Sequence, residues 1–216
     1  RNYNTLVPSV KSKLKVLHID DEPSQLHFAK LFLEKADDSL EIISVSSYDE
    51  LKNNLTPDID CIISDYKMPV FSGIEICELI KKVSDIPFIL YTAHGSEYVA
   101  ETAIAVGVDD YIRKEMDPSH YKLLANRVLQ VIEKYSSKRS NSLYKKRLET
   151  LHKYAIEISK ASEIDEIAYL SFEAIKETLD FSFAGFHILR GRNLIELFVM
   201  GAQVAEPYVQ NLDDGG

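Results

Sequence analysis

Short apolar runs rich in branched residues recur along the N-terminal part of the chain: LKVLHI (14–19), LEIISV (40–45), IDCIIS (59–64), IPFILY (86–91) and VDDYI (108–112). Each is bounded by polar or turn-forming residues, the signature of a strand. Between them apolar positions return at three- and four-residue spacing, which predicts helices. Pro23 suits a first helical turn, where its missing N–H has no partner to lose, and Leu26, Ala29 and Leu33 then share a face. Gly73 precedes Ile74, Cys77 and Ile80. Gly95 opens and Gly107 closes a third helical stretch, Gly107 as a left-handed cap. A further helix starts after Asp117-Pro118 and turns Leu124, Val128, Val131 and Tyr135 inward. Strands that alternate with helices and stay apolar throughout predict an α/β fold, a doubly wound five-stranded parallel sheet covered on both faces.

In an open sheet of this kind ligands bind beyond the carboxyl ends of the strands. The first run ends on Asp20 and Asp21, the third on Asp65, the fourth on Thr92 and the fifth on Lys114. Any one of these reads equally well as a helix cap or turn residue. Four polar ends at corresponding places point to a site.

Composition narrows what such a site does. With 216 residues, 45% hydrophobic and 27% charged, the chain suits one or two packed domains and is too apolar for disorder. A formal net charge of -9 argues against nucleic-acid binding as its main task. Cys61 and Cys77 form no C-x-x-C pair and read as reduced core residues of a cytoplasmic protein. No apolar run approaches the ~18 residues of a membrane span, and no signal-peptide pattern stands at the N-terminus. The chain begins at Arg1 rather than Met, so a cut end is expected.

Three converging carboxylates repel one another: two unit charges ~4 Å apart cost about 1 kcal/mol in water and about 4 at an effective dielectric near 20. A cation relieves this. Carboxylate, carbonyl and water oxygens are what Mg²⁺ takes, leaving room for a phosphate. A metal, an acidic nucleophile and the compact charge of Lys114 together suit a transferring phosphoryl group.

The set HIDDEP, DYKMPVFSG, YTA and DDYIRK resembles the receiver domain of two-component response regulators, over residues 12–136. That resemblance implies a flavodoxin-like strand order of 2-1-3-4-5. It makes Asp65 the phospho-acceptor and Thr92 the switch hydroxyl. By the same resemblance Asp20 and Asp21 are expected to hold Mg²⁺ with Asp65 and the backbone carbonyl of Lys67, and Lys114 to contact the phosphoryl group. Tyr111 matches the aromatic switch, although a half-buried strand tyrosine is the plainer reading. Lys67 and His94 fall at the positions that tune phosphate lifetime. The implied partner is a histidine kinase or phosphotransfer protein, and a homodimer through the surface of the fourth helix, fifth strand and fifth helix, or through the linker helix, is a further expectation. In one respect the chain departs from the family: Glu115 stands where a proline usually follows the lysine in a cis peptide. A non-proline cis bond costs roughly 2.5 to 4 kcal/mol, so this peptide is expected to be trans or strained. Some receivers with a similar HYKLLANR segment share the feature.

Beyond the receiver, SSKRSNS (136–142) reads as a linker or an exposed helical stalk, with a linker helix over 137–152. The basic cluster of Lys138, Arg139, Lys145, Lys146 and Arg147 reads as a solvated helix face. Leu148, Leu151, Ala155 and Ile158 recur at helical spacing, short of a coiled-coil signal. EIDEIAYLSFEAIKETLDF predicts an amphipathic helix, and FAGFHILRG with NLIELFVMG a hairpin about a Gly-Arg-Asn turn. Helix, helix, strand, turn, strand resembles the opening of a GAF sensory domain after an archaeal-type receiver, over 153–216, and a sequence ending in NLDDGG reads as stopping inside that domain. His152 lacks the acidic neighbour of a kinase phospho-acceptor histidine. A haloacid-dehalogenase-type phosphatase needs a second Asp where Lys67 stands, and no helix-turn-helix of a transcription factor is visible. The remaining alternatives are a phosphorylation-independent interaction module and the front end of a hybrid histidine kinase.

Overall fold

The computed structural model describes residues 13–93, 96–115, 117–179, 184–190, 193–200 and 210–211, with side chains through residue 179. The chain divides into two units, Arg1–Ser137 and Lys138–Gly216.

In the first unit β1 (Leu14–Ile19), β2 (Leu40–Val45), β3 (Ile59–Ser64), β4 (Phe88–Thr92) and β5 (Asp110–Arg113) pair in parallel in the order β2-β1-β3-β4-β5. That is the expected sheet and order. The helices between them are α1 (Pro23–Ala36), α2 (Tyr48–Asn54), α3 (Gly73–Lys81) and α4 (Glu97–Ala105), followed by α5 (His120–Ile158). Because side chains alternate along a strand, each strand feeds two cores. Val16, Ile63 and Tyr91 pack with Ala29 and Leu33 of α1 and with Leu124 and Val128 of α5. Leu17, Ile19, Ile62, Phe88 and Leu90 pack on the other face with Leu51 of α2, Ile76 and Ile80 of α3, and Ala103 of α4.

Local chemistry starts and stops these helices. Pro23 takes the first turn of α1, and Ser72 with Glu75 forms a reciprocal capping box at α3. Gly107 closes the turn after α4 at φ 89°, the left-handed conformation its place predicts. Gly95 lies outside the described residues. The last two strands begin two residues later than the apolar pattern predicts. Pro87 has no N–H for a ladder, and the Asp109 carboxylate instead accepts hydrogen bonds from the Phe88 N–H at 2.9 Å and the Lys81 ammonium at 2.8 Å.

α5 runs without interruption for 39 residues, and the boundary between the units falls within it. The polar stretch 136–142 is therefore helical. Neither Gly nor Pro occurs from His120 to Ile158, so no helix breaker interrupts α5. In the second unit α6 (Ile164–Thr178) carries an acidic first turn, and Tyr154 donates to Glu177 Oε1 at 2.8 Å. β6 (Ala184–Arg190) and β7 (Asn193–Met200) form the expected antiparallel pair, and β8 (Gln210–Asn211) adds to β7. The turn between β6 and β7 lies outside the described residues.

Candidate functional site

The carboxyl rim of the sheet gathers Asp20, Asp21, Asp65 and Lys114 around a cavity of about 380 Å³, which Glu22, Gln25, Lys67, Met68, Pro69 and Ala93 also line. Neighbouring strands fix the two central carboxylates. The Asp20 N–H donates to Val45 O at 3.2 Å and the Asp65 N–H to Ile19 O at 2.9 Å, so both residues leave their strands in register. Their exposures are 1% and 7%, whereas Asp21 faces solvent. Asp20 Oδ1 accepts the Glu22 N–H and Asp65 Oδ2 the Lys67 N–H, at 2.9 and 2.8 Å.

Lys114 completes the group from β5. Its Nζ lies 2.6 Å from Asp20 Oδ2 and 2.9 Å from Asp65 Oδ1, and 5.5 Å from the centroid of the Tyr91 ring. Burial opposes the ammonium charge, yet the bonds to Asp20 and then Asp65 outweigh it and hold the lysine pKa above its ordinary value. Burial pushes the Asp20 carboxyl upward; Lys114 and the Glu22 N–H pull it back, and the nearby Asp65 charge raises it again. Lys114 bridges two of the three aspartates at this rim, and the acidic side chains lining the cavity outnumber the basic ones, an excess that a divalent ion would offset.

The donor set fits such an ion. Three carboxylates bordering one open cavity are hard oxygen ligands of the type Mg²⁺ prefers. Among the described residues, however, no three carboxylate, histidine or cysteine side chains already stand in coordinating geometry.

Gly73 matters for a steric reason. A Cβ there would lie 2.2 Å from Asp65 O, 2.6 Å from Leu90 Cδ1 and 2.9 Å from Ser64 Oγ, so only glycine lets the start of α3 close on the Asp65 carbonyl. Its N–H donates to Tyr66 O at 2.9 Å.

The other expected site residues fall in different places. Thr92 is fully buried at the end of β4 and is not among the residues lining the cavity, where Ala93 follows it. The Thr92 carbonyl accepts the Lys114 N–H at 2.9 Å. Tyr111 is half-buried against the core on the α3–α4 side. Lys67 is exposed beside the cavity, and His94 lies outside the described residues. The Lys114–Glu115 peptide is trans, so of the two outcomes expected for a missing proline the first holds. Two residues next to Lys114 escaped the sequence reading. Tyr91 and His120 are both buried, and the Tyr91 hydroxyl is hydrogen-bonded to His120 Nε2. Only the segment HYKLLANR pointed toward His120, and nothing singled out Tyr91.

Comparison with known proteins gives the family of the first unit. Residues 16–126 fit the family model of the response regulator receiver domain, and the chain belongs to that family. The heme response regulator HssR of Staphylococcus saprophyticus is 30% identical over 160 residues, 74% of this chain and 69% of HssR. The response regulator SaeR of Staphylococcus aureus is 31% identical over 121 residues, so the chain spans 52% of SaeR. A receiver domain protein from Methanospirillum hungatei, described as CheY-like, shares the fold at a TM-score of 0.52 and 21% identity, over 59% of this chain and 99% of that one. Among the described residues no helix is long and apolar enough to cross a membrane.

Proposed function

We propose that this receiver accepts a phosphoryl group on Asp65 in a cytoplasmic two-component phosphorelay. The observation that carries the reading is the shared grip of Lys114 on Asp20 and Asp65 at the rim of one cavity. A phosphohistidine of a partner histidine kinase or phosphotransfer protein is the donor. An Asp65 carboxylate oxygen forms the new P–O bond as the P–N bond breaks, and the imidazole leaves with the electron pair and takes a proton from solvent. Mg²⁺ held by Asp20, Asp21, Asp65 and the Lys67 carbonyl would supply charge neutralisation at the phosphoryl oxygens. Lys114 holds the acceptor carboxylate and meets the incoming charge. The product adds roughly -1.5 to -2 charges beside Asp65. Thr92 and Tyr111 answer that charge by moving toward it and repacking the surface of α4, β5 and α5, with Lys67 and His94 setting how long the phosphate lasts.

The second unit is read as the start of a GAF-like sensory region. Helix, helix, hairpin is its supporting pattern. A homodimer through α4, β5 and α5, or through the later part of α5, is the assembly this reading favours.

Incubation with Mg²⁺ and acetyl phosphate tests the proposal by intact-protein mass. A phosphate-sized gain, lost in Asp65→Asn and with EDTA, is expected. No gain in the unaltered chain sinks it and favours an interaction module that works without phosphorylation.

A further inference from the structure

The connection from β5 to α5 carries Lys114, and both of its ends are tied to β4 by adjacent residues. At the Lys114 end the backbone N–H donates to Thr92 O at 2.9 Å. At the other end the side chain of His120, the first residue of α5, meets the hydroxyl of Tyr91. Between these ties Lys114 is followed by Glu115 through a trans peptide, so no proline ring fixes the backbone there.

The hydrogen bonds fix the roles of the His120 ring atoms. Nδ1 faces Asp117 O, a carbonyl that only accepts, so Nδ1 carries a proton. Nε2 faces the Tyr91 hydroxyl. Tyr91 is held in its protonated form first by burial, then by Tyr121, and further by the negative charges of Asp20 and Glu115. With Nδ1 protonated, the unprotonated Nε2 of a neutral ring takes the Tyr91 O–H as its donor, and the Tyr121 hydroxyl is a second neighbour of the Tyr91 oxygen. The chain of bonds runs from the Tyr91 O–H to Nε2 and from Nδ1–H to the Asp117 carbonyl, which belongs to the same connection.

Stacking reinforces the tie. His120 lies on Tyr121 with ring centroids 4.1 Å apart, Tyr121 stacks on Phe32 of α1 at 5.2 Å, and Tyr91 faces His120 at 5.8 Å. Within this layer the Lys114 ammonium sits over the Tyr91 ring, 5.5 Å from its centroid. Tyr91 thus serves twice, holding the α5 end of the connection through its hydroxyl and supporting the ammonium with its π face.

We propose that Tyr91 and His120 are positioning residues for Lys114, setting its ammonium between Asp20 and Asp65 for phosphoryl transfer. The inference rests on Asp65 as acceptor. It adds that the lysine works only where this buried pair places it.

The test uses the full chain with Mg²⁺ and acetyl phosphate. Tyr91→Phe and His120→Leu are each expected to slow phosphorylation about tenfold, the scale of one buried hydrogen bond. His120→Gln keeps an acceptor for Tyr91 and is expected to recover most of that loss. In a Lys114→Ala background neither change is expected to slow the reaction further, because the pair acts through the lysine. Unaltered rates in both single variants, or the same added loss without Lys114, overturn the proposal. A second readout does not depend on phosphorylation. Tyr91→Phe keeps the ring, so the NMR shift of the Lys114 ε-methylene moves only if losing the hydroxyl relocates the ammonium. An unmoved shift overturns the positioning role even if the unaltered chain takes no phosphate. Failure of the acceptor reading is recognised separately, by labelling that survives Asp65→Asn.

Discussion

Gly73→Ala would force a methyl group to within 2.2 Å of the Asp65 carbonyl. Neither the strand end nor the start of α3 can yield without moving the acceptor, so overpacking is expected to cost about 1–3 kcal/mol or more, read from urea unfolding. His18 presents another kind of constraint. It is fully buried on β1 with neither ring nitrogen hydrogen-bonded to protein, and burial first, then the charge of Lys114, lowers its pKa to about 3. The folded state thus keeps His18 neutral, while the unfolded chain binds its proton below the ordinary histidine value of 6.5. Its contribution is whole above that value and is lost as pH falls toward about 3, at a slope of up to about 1.4 kcal/mol per pH unit. His18→Leu is expected to flatten the pH dependence of unfolding across that window relative to the unaltered chain. A slope left unchanged would mean that His18 finds a partner or water. The acidic pair, Asp65 and Lys114 were legible in the sequence because each charge directly follows an apolar run. Tyr91 and His120 were not, since a tyrosine inside an apolar strand looks like any core residue and its partner lies 29 positions away. The burial of Thr92 was equally hidden, because its strand runs one residue further than the apolar pattern does.

At the scale of elements the strands and most helices could be read from periodicity alone. Their edges were less clear where a side chain replaces ladder bonds, as Asp109 does before β5. The polar stretch in α5 was the ambiguous element, because an exposed helix and a linker share a composition. Its continuity follows from the absence of breakers rather than from any apolar face. Ser140→Pro removes an N–H and crowds the preceding turn, at a cost of about 3 kcal/mol to local helix. Circular dichroism is expected to lose helical signal, while phosphate uptake stays unchanged because the receiver core draws on α5 only as far as Tyr135. Tyr154→Phe removes the bond to Glu177 and is expected to destabilise the second unit by about 1 kcal/mol.

For the whole molecule, the receiver match stops at residue 126, and the chain divides near Ser137. A ligand that binds only the folded first unit raises only that unit's stability. Mg²⁺ with beryllofluoride, a phosphoryl mimic, is expected to raise one calorimetric transition and leave any other in place, by about 2.7 kcal/mol when present at 100 times its dissociation constant. A uniform shift of all transitions would mean that the two units unfold together.

Lys114 is the ammonium bonded to Asp20 and Asp65 at the cavity, where acidic side chains outnumber basic ones among the lining residues. An anionic donor approaching the bare rim would therefore meet a barrier of like sign, which a bound divalent ion would lower. On the proposed reading such a receiver is a conjunction, in which phosphodonor and metal must arrive together for either to register.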